Sequence, residues 1–237
     1  MLPDLRDRQR VPELMDEPDL DRSRHVRALR ALARVNRVSG VAGRVWREVL
    51  DLDAGNPVRS QPLRLLDVAC GGGDVIVDVA RRARSAGLPL EVHGCDVSPV
   101  ALGYARRQSE RAGVAVEFVV WDVLAEGLPR GYDLVCSSLF HHHLSLENAV
   151  GLLRGMGRAG RSVLVQDLVR SKLGYVLAWS GIRLLSRSDV ARIDGPRSVR
   201  SAFTLQEARA MAEEADLRGA VVQSAWPERF VLRWRRS

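Results

Sequence analysis

Cysteine, aromatic residues and long apolar runs are all scarce in this sequence of 237 residues. Cys70, Cys95 and Cys136 are the only cysteines, too few and too scattered for a disulfide scaffold. Each falls in a strand-like segment, so they are expected as reduced thiols in a cytoplasmic protein. No apolar stretch reaches the ~18–20 residues that a membrane span requires. The opening residues MLPDLRDRQRVPELMDEPD have no apolar centre, so no secretory signal peptide is visible. Internal repeats and low-complexity tracts are missing as well. Aromatic residues make up 5% of the chain and do not interleave with the basic clusters as base-stacking platforms would. The net charge of +7 therefore does not point to nucleic acid as a partner. Lys172 is the sole lysine among 36 basic residues, and the arginines are spread over helix faces. RRAR at 81–84 and RWRR at 233–236 are the tightest clusters; an acidic partner or peripheral membrane contact stays open.

What is present is the composition of a globular α/β protein, 46% hydrophobic and 27% charged. Helical periodicity dominates residues 19–50, with Asp19, Asp21 and Ser23 as candidate N-caps, and DAGNPVRSQP at 53–62 is a turn-rich linker. Residues 1–60 are thus expected to form a helical extension ahead of a second unit, 61–237. In that unit β-type runs at 63–68, 90–96, 114–122, 132–140 and 160–167 alternate with helical segments. Such alternation implies a parallel, doubly wound sheet. Residues 168–200 break the pattern as an insertion, partly an amphipathic helix. RGAVVQSAWPERFVLRWRR then supplies two strands whose short Pro227-Glu228 connection forces antiparallel pairing. The expected fold is a seven-stranded, mostly parallel α/β sheet with an antiparallel C-terminal hairpin and a helical N-terminal extension.

The stretch LDVACGGGD at 66–74 places three successive glycines after the first strand, where a crevice opens at the carboxyl edge of such a sheet. Two features count against a dinucleotide fingerprint: Gly71 and Gly73 are followed by Ile76 where a third glycine belongs, and Asp74 would face the phosphates. The stretch resembles motif I of class I S-adenosylmethionine-dependent methyltransferases, with Asp67, Ala69, Gly71 and Gly73 in the motif positions; the family usually has glycine where this chain has Ala69. The resemblance implies the Rossmann-like fold of that family and S-adenosylmethionine as cofactor, leaving as S-adenosylhomocysteine. It implies that Asp67 orients the loop and the methionine ammonium, and that Gly71 and Gly73 let the backbone, with Ala69 and Cys70, touch the cofactor. Asp96, ending the second strand, is expected to accept from the ribose hydroxyls. Asp122, ending the third, is expected at the adenine amino group with Val97 and Val123 beside the ring, and Ser138 at the end of the fourth strand.

The fourth strand runs into SSLFHHHLS. It lacks the Asn/Asp-Pro-Pro-aromatic stretch of methyltransferases acting on nucleic-acid bases. It resembles instead the small-molecule subgroup that includes ubiquinone- and menaquinone-biosynthesis and polyketide-tailoring enzymes. By that resemblance His142 or His143 acts as base or acceptor-orienting residue; a histidine of near-neutral pKa can take a phenolic proton. His141, Asp167 and Arg170 are expected on the acceptor side, and Tyr175 and Trp179 in an apolar lid. Consecutive histidines with no carboxylate or cysteine at ligand spacing suggest no metal site. The expected activity is methylation of a small aromatic (phenolic or quinol) or lipid-tailed metabolite by a monomer or homodimer, with oxygen favoured over ring carbon. An RNA-directed methyltransferase and a non-catalytic protein of the same fold are the alternatives.

Overall fold

The apolar runs at 63–68, 132–138 and 160–168 become the inner strands because they are buried between two helical layers. The structure, a computed structural model, describes residues 3–17, 19–55 and 60–236. Strands β1 (Leu63–Val68), β2 (Leu90–Asp96), β3 (Glu117–Val120), β4 (Tyr132–Ser138) and β5 (Gly160–Leu168) run parallel. β7 (Arg229–Arg235) pairs antiparallel with β5, and β6 (Val221–Ala225) pairs antiparallel with β7 at the edge. The order is β3-β2-β1-β4-β5-β7-β6. The chain reverses its direction of winding between β1 and β4, so the turns that leave these two strands flank one crevice. Those turns are the glycine-rich stretch and the three histidines.

The helices on the two faces are α3 (Asp74–Ser85), α4 (Pro99–Ala112), the single turn α5 (Val123–Glu126), α6 (Leu146–Ala159) and α9 (Leu205–Glu214). Ser98 caps α4 by accepting from Ala101 N–H at 3.2 Å, with Pro99 in the first turn. Two apolar cores fill the sheet faces, one around Leu153, Met156 and Leu232, the other around Leu65, Ile76 and Leu102.

Two expectations of extent need correction. The third strand is four residues rather than nine, because Trp121 and Asp122 turn away to start α5 and Val119 and Val120 lie exposed at the sheet edge. The insertion at 168–200 holds two helices, α7 (Lys172–Leu185) and α8 (Asp189–Ser201), separated where Ser188 caps the second. The N-terminal helices are α1 (Arg22–Val38), capped by Asp21, and α2 (Val41–Ala54), reached through Gly40 in a left-handed conformation. α1 packs on α4, α7 and α8, while α2 packs on α3 and the sheet. The middle of the proposed linker, 56–59, lies outside the described residues.

Candidate active site

After β1 the chain turns through three left-handed residues: Ala69 (φ 55°), Gly71 (φ 52°) and Gly73 (φ 70°). Ala69 carries the steric cost of that conformation, about 1–2 kcal/mol for an L-residue. A methyl group added to Gly73 would stand 2.9 Å from Ala105 Cβ and 3.1 Å from the Phe118 ring; one on Gly72 would meet the Tyr104 ring at 3.2 Å. Packing against α4 and β3 by itself excludes a side chain at Gly73 and crowds one at Gly72. At Gly71 the nearest atom is Leu29 Cδ2 of α1, at an ordinary 3.8 Å. The Cys70 thiol points into the core beneath Gly94, which leaves only the main chain of Cys70 for a ligand.

Asp96, not Asp67, holds the turn. Its Oδ2 accepts from Gly71 N–H at 2.8 Å and its Oδ1 from Ser98 N–H at 2.9 Å. Asp67 is buried at the end of β1, where its carboxylate accepts from the Cys136 thiol at 3.5 Å. Burial pushes Asp67 up to about 8; the Cys136 hydrogen bond works against this, and the charges of Asp74 and Asp96 add to it. Asp74 and Asp96 are themselves raised by burial. Three carboxylates thus surround one turn, and among the described residues no arginine pairs with Asp67.

Asp122 is exposed and caps α5, its Oδ1 accepting from Leu124 N–H at 3.0 Å and Ala125 N–H at 3.3 Å. Val97 is exposed, whereas Val123 is buried against the core below.

At the end of β4, Leu139 takes a left-handed conformation and His141–His143 wind into a single 3₁₀ turn. His141 is 1% exposed, and neither ring nitrogen has a partner among the described residues; burial lowers it to about 4, so it is neutral. The hydroxyls of Ser137 and Ser138 also lack partners. His142 sits between two carboxylates, Nδ1 at 2.7 Å from Asp167 Oδ1 and Nε2 at 3.3 Å from Glu13 Oε1. Burial lowers its pKa, but Asp167 and Glu13 outweigh that and carry it to about 10. Burial would raise Asp167, yet His142 holds it down at about 2. His143 is half-buried, with Nδ1 at 2.8 Å from Asp16 Oδ2 and Nε2 at 3.8 Å from Glu13 Oε2. A cavity of about 230 Å³ opens on Glu13, Asp16, His142 and His143.

Arg170 was expected to line the acceptor side, but its guanidinium is committed to the protein. It makes two bonds to Glu207 at 2.7 and 2.8 Å and donates to the carbonyls of Leu5, Arg6 and Ala202. The expected apolar stripe of α7 does not form one face: Ile182 is buried, while Val176 and Trp179 are exposed and Arg183 lies over the Trp179 ring at 4.1 Å.

Residues that sequence reasoning missed complete the crevice. Glu13 and Asp16 come from the segment before α1, and Ser198 of α8 donates its hydroxyl to Glu13. Arg229, 1% exposed, donates Nη2 to Ser39 Oγ at 3.2 Å, while its Nε and Nη1 have no partner. Asn36 donates to Asp74 at 3.1 Å, and its carbonyl oxygen is unpartnered. Glu13 was signalled only as a charge between apolar residues, which a solvated face produces equally well, and Arg229 only as a charge beside Glu228 at the start of an apolar run.

Residues 65–162 match the family described as a methyltransferase domain. The chain is 37% identical over 108 residues to a demethylmenaquinone methyltransferase of Thermus thermophilus, which covers 44% of this chain and 47% of that protein. It is 32% identical over 127 residues to a ubiquinone biosynthesis O-methyltransferase of Burkholderia ambifaria, 52% of each. The chain thus spans about half the length of the curated relatives it matches. Among solved structures, an O-methyltransferase family 2 protein from Planctomyces limnophilus, in complex with apigenin, superposes with a TM-score of 0.62 at 19% identity, over 93% of this chain and 63% of that one. That likeness concerns the fold.

Proposed function

We propose, on the premise that residues 65–162 form a methyltransferase domain, that this chain transfers the methyl group of S-adenosylmethionine to an oxygen of a small phenolic or quinol acceptor. The observation that carries this is the trio Asp67, Asp74 and Asp96 around one glycine-rich turn, each raised by burial. Buried carboxylates of this kind ionise readily only beside a cation, so the turn favours a ligand of net positive charge over a pyrophosphate. S-adenosylmethionine, with its sulfonium and ammonium, is such a ligand, and its methyl is made electrophilic by the positive sulfur.

This chain's own residues fit that ligand at several points. Asp96 uses one lone pair of each oxygen on Gly71 and Ser98, and a carboxylate offers about four such sites, so each oxygen keeps one for a ribose hydroxyl. Asp67 gains a cationic partner in the ammonium. Arg229, with two unpartnered donors in a buried setting, complements a carboxylate. Asp122 and Val97, both exposed, are assigned to the adenine.

On the acceptor side, both nitrogens of His142 are engaged, so His142 positions its neighbours. His143 Nε2 lies beyond hydrogen-bond distance of Glu13 and is the nitrogen that takes the acceptor's proton, with Asp16 fixing the ring through Nδ1. The rest of the rate comes from holding the nucleophile in line with the methyl group. The segment before α1, together with α7 and α8, forms the acceptor lid. Between the two relatives, the name of the Burkholderia protein specifies O-methylation, which favours oxygen over ring carbon.

Calorimetry with S-adenosylmethionine and transfer of a labelled methyl group to a panel of catechols and quinols tests this. Asp96→Ala is expected to abolish cofactor binding in a folded protein, and mass spectrometry of the product separates O- from C-methylation. Unchanged affinity in Asp96→Ala, or tight binding of a nicotinamide dinucleotide instead, would overturn the assignment.

A further inference from the structure

The spacing of the histidine run offered no carboxylate to complete a metal site, but the fold delivers one from 129 residues upstream. Glu13 comes to rest across the open side of the 3₁₀ turn, and the ligand atoms of Glu13, His142 and His143 all lie within 4.8 Å of one another. The Nε2 atoms of the two adjacent rings face the two oxygens of this one carboxylate, at 3.3 and 3.8 Å. Tetrahedral zinc with bonds of about 2.1 Å holds its ligands roughly 3.4 Å apart. The 3.3 Å pair already meets that spacing, the 3.8 Å pair must close by about 0.4 Å, and no pair in the set by more than about 1.4 Å.

The outer contacts point the same way. A histidine that ligates a metal almost always donates its other ring N–H to a carboxylate, which fixes the tautomer and aims the free nitrogen. Both histidines do so here: His142 Nδ1 to Asp167 at 2.7 Å and His143 Nδ1 to Asp16 at 2.8 Å. Glu13 is in turn held by the Ser198 hydroxyl. Two imidazoles and one carboxylate are the protein ligands of a catalytic zinc site, which keeps its fourth position open. The cavity of about 230 Å³ beside these residues supplies that opening.

We propose that Glu13, His142 and His143 bind one divalent transition-metal ion, zinc by ligand type, with the fourth position facing the cavity. The site goes beyond methyl transfer and stands independently of it.

The test uses the full chain, stripped with EDTA and titrated with Zn²⁺ by calorimetry and with Co²⁺ by visible absorption. One ion per chain is expected, with tetrahedral cobalt bands that Zn²⁺ displaces. Asp16→Asn, which removes the carboxylate behind His143 Nδ1 and leaves the three ligands in place, should weaken binding about 10–100-fold. Glu13→Gln and His143→Ala should weaken it more, at unchanged circular dichroism. If a variant fails to fold, the wild-type cobalt spectrum decides, because thiolate charge-transfer bands would assign the ion to cysteines. That result, the absence of stoichiometric binding in the wild-type chain, or equal binding in the folded variants overturns the proposal. Loss of S-adenosylmethionine binding with zinc binding intact would sink only the methyltransferase assignment.

Discussion

At the scale of single residues, Asp67 shows how function and stability oppose one another. Its ordinary pKa is near 4, and burial in the fold raises it to about 8. Between those two values the folded chain binds a proton that the unfolded chain does not. Stability contributed at this position is therefore present at low pH and lost as pH rises toward 8. Asp67→Asn removes that loss. Its melting temperature should exceed that of the parent by a margin that widens from pH 5 to pH 8, while affinity for S-adenosylmethionine falls at least about tenfold, as expected when a charge partner worth 1.4 kcal/mol or more is removed. A constant margin across that range would show that Asp67 titrates normally. The acid itself was legible from the glycine turn that follows it. Its freedom from the loop was not, because which carboxylate reaches Gly71 N–H depends on the register of β1 against β2, where Val68 pairs with Cys95.

At the scale of elements, the turn between β1 and α3 is built against α4 and β3 as much as for a ligand. Gly73→Ala would set a methyl group 2.9 Å from Ala105 Cβ in a left-handed backbone. Overpacking of about 1–3 kcal/mol and a conformational cost of about 1–2 kcal/mol should combine, and thermal denaturation would show a drop of roughly 4–20 °C. A loss of cofactor affinity without that drop would return the glycine to a purely ligand-facing role. Strand and helix alternation was readable because the β-type runs and helix caps such as Ser98-Pro99 are local signals. The division of 168–200 into α7 and α8 was less so, since Pro196 lies inside the second helix rather than marking its start. The scattering of the α7 stripe follows from its packing partners: Ile182 is buried with Ala31 and Ala191, while Trp179 lies exposed with Arg183 over its ring.

At the scale of the whole molecule, arginines tie the N-terminal segment across the carboxyl edge of the sheet. Arg8 donates to the carbonyls of His142 and Leu144 at 2.9 and 2.7 Å, and Arg170 holds the carbonyls of Leu5 and Arg6 while gripping Glu207. These bonds keep Glu13 and Asp16 over the histidine turn. Arg170→Lys retains the charge but not the planar fork, so it cannot serve Glu207 and three carbonyls together. Amide exchange in residues 3–16 should accelerate by at least about tenfold, with the sheet unaffected. Unaltered exchange in that segment would leave Arg8 as its sufficient anchor.

By itself the sequence determined the doubly wound sheet, the position of the crevice and the carboxylates that end its strands, because periodicity, glycine spacing and strand ends are properties of neighbours along the chain. Only tertiary structure decided that Glu13 and Asp16 face the histidines, that Arg170 is a clamp and that Arg229 lies buried beneath the cradle. Those outcomes depend on which of many exposed-looking charges the packing of remote segments drives out of water, and nothing local to residue 13 or 229 encodes where residue 142 or 74 will be.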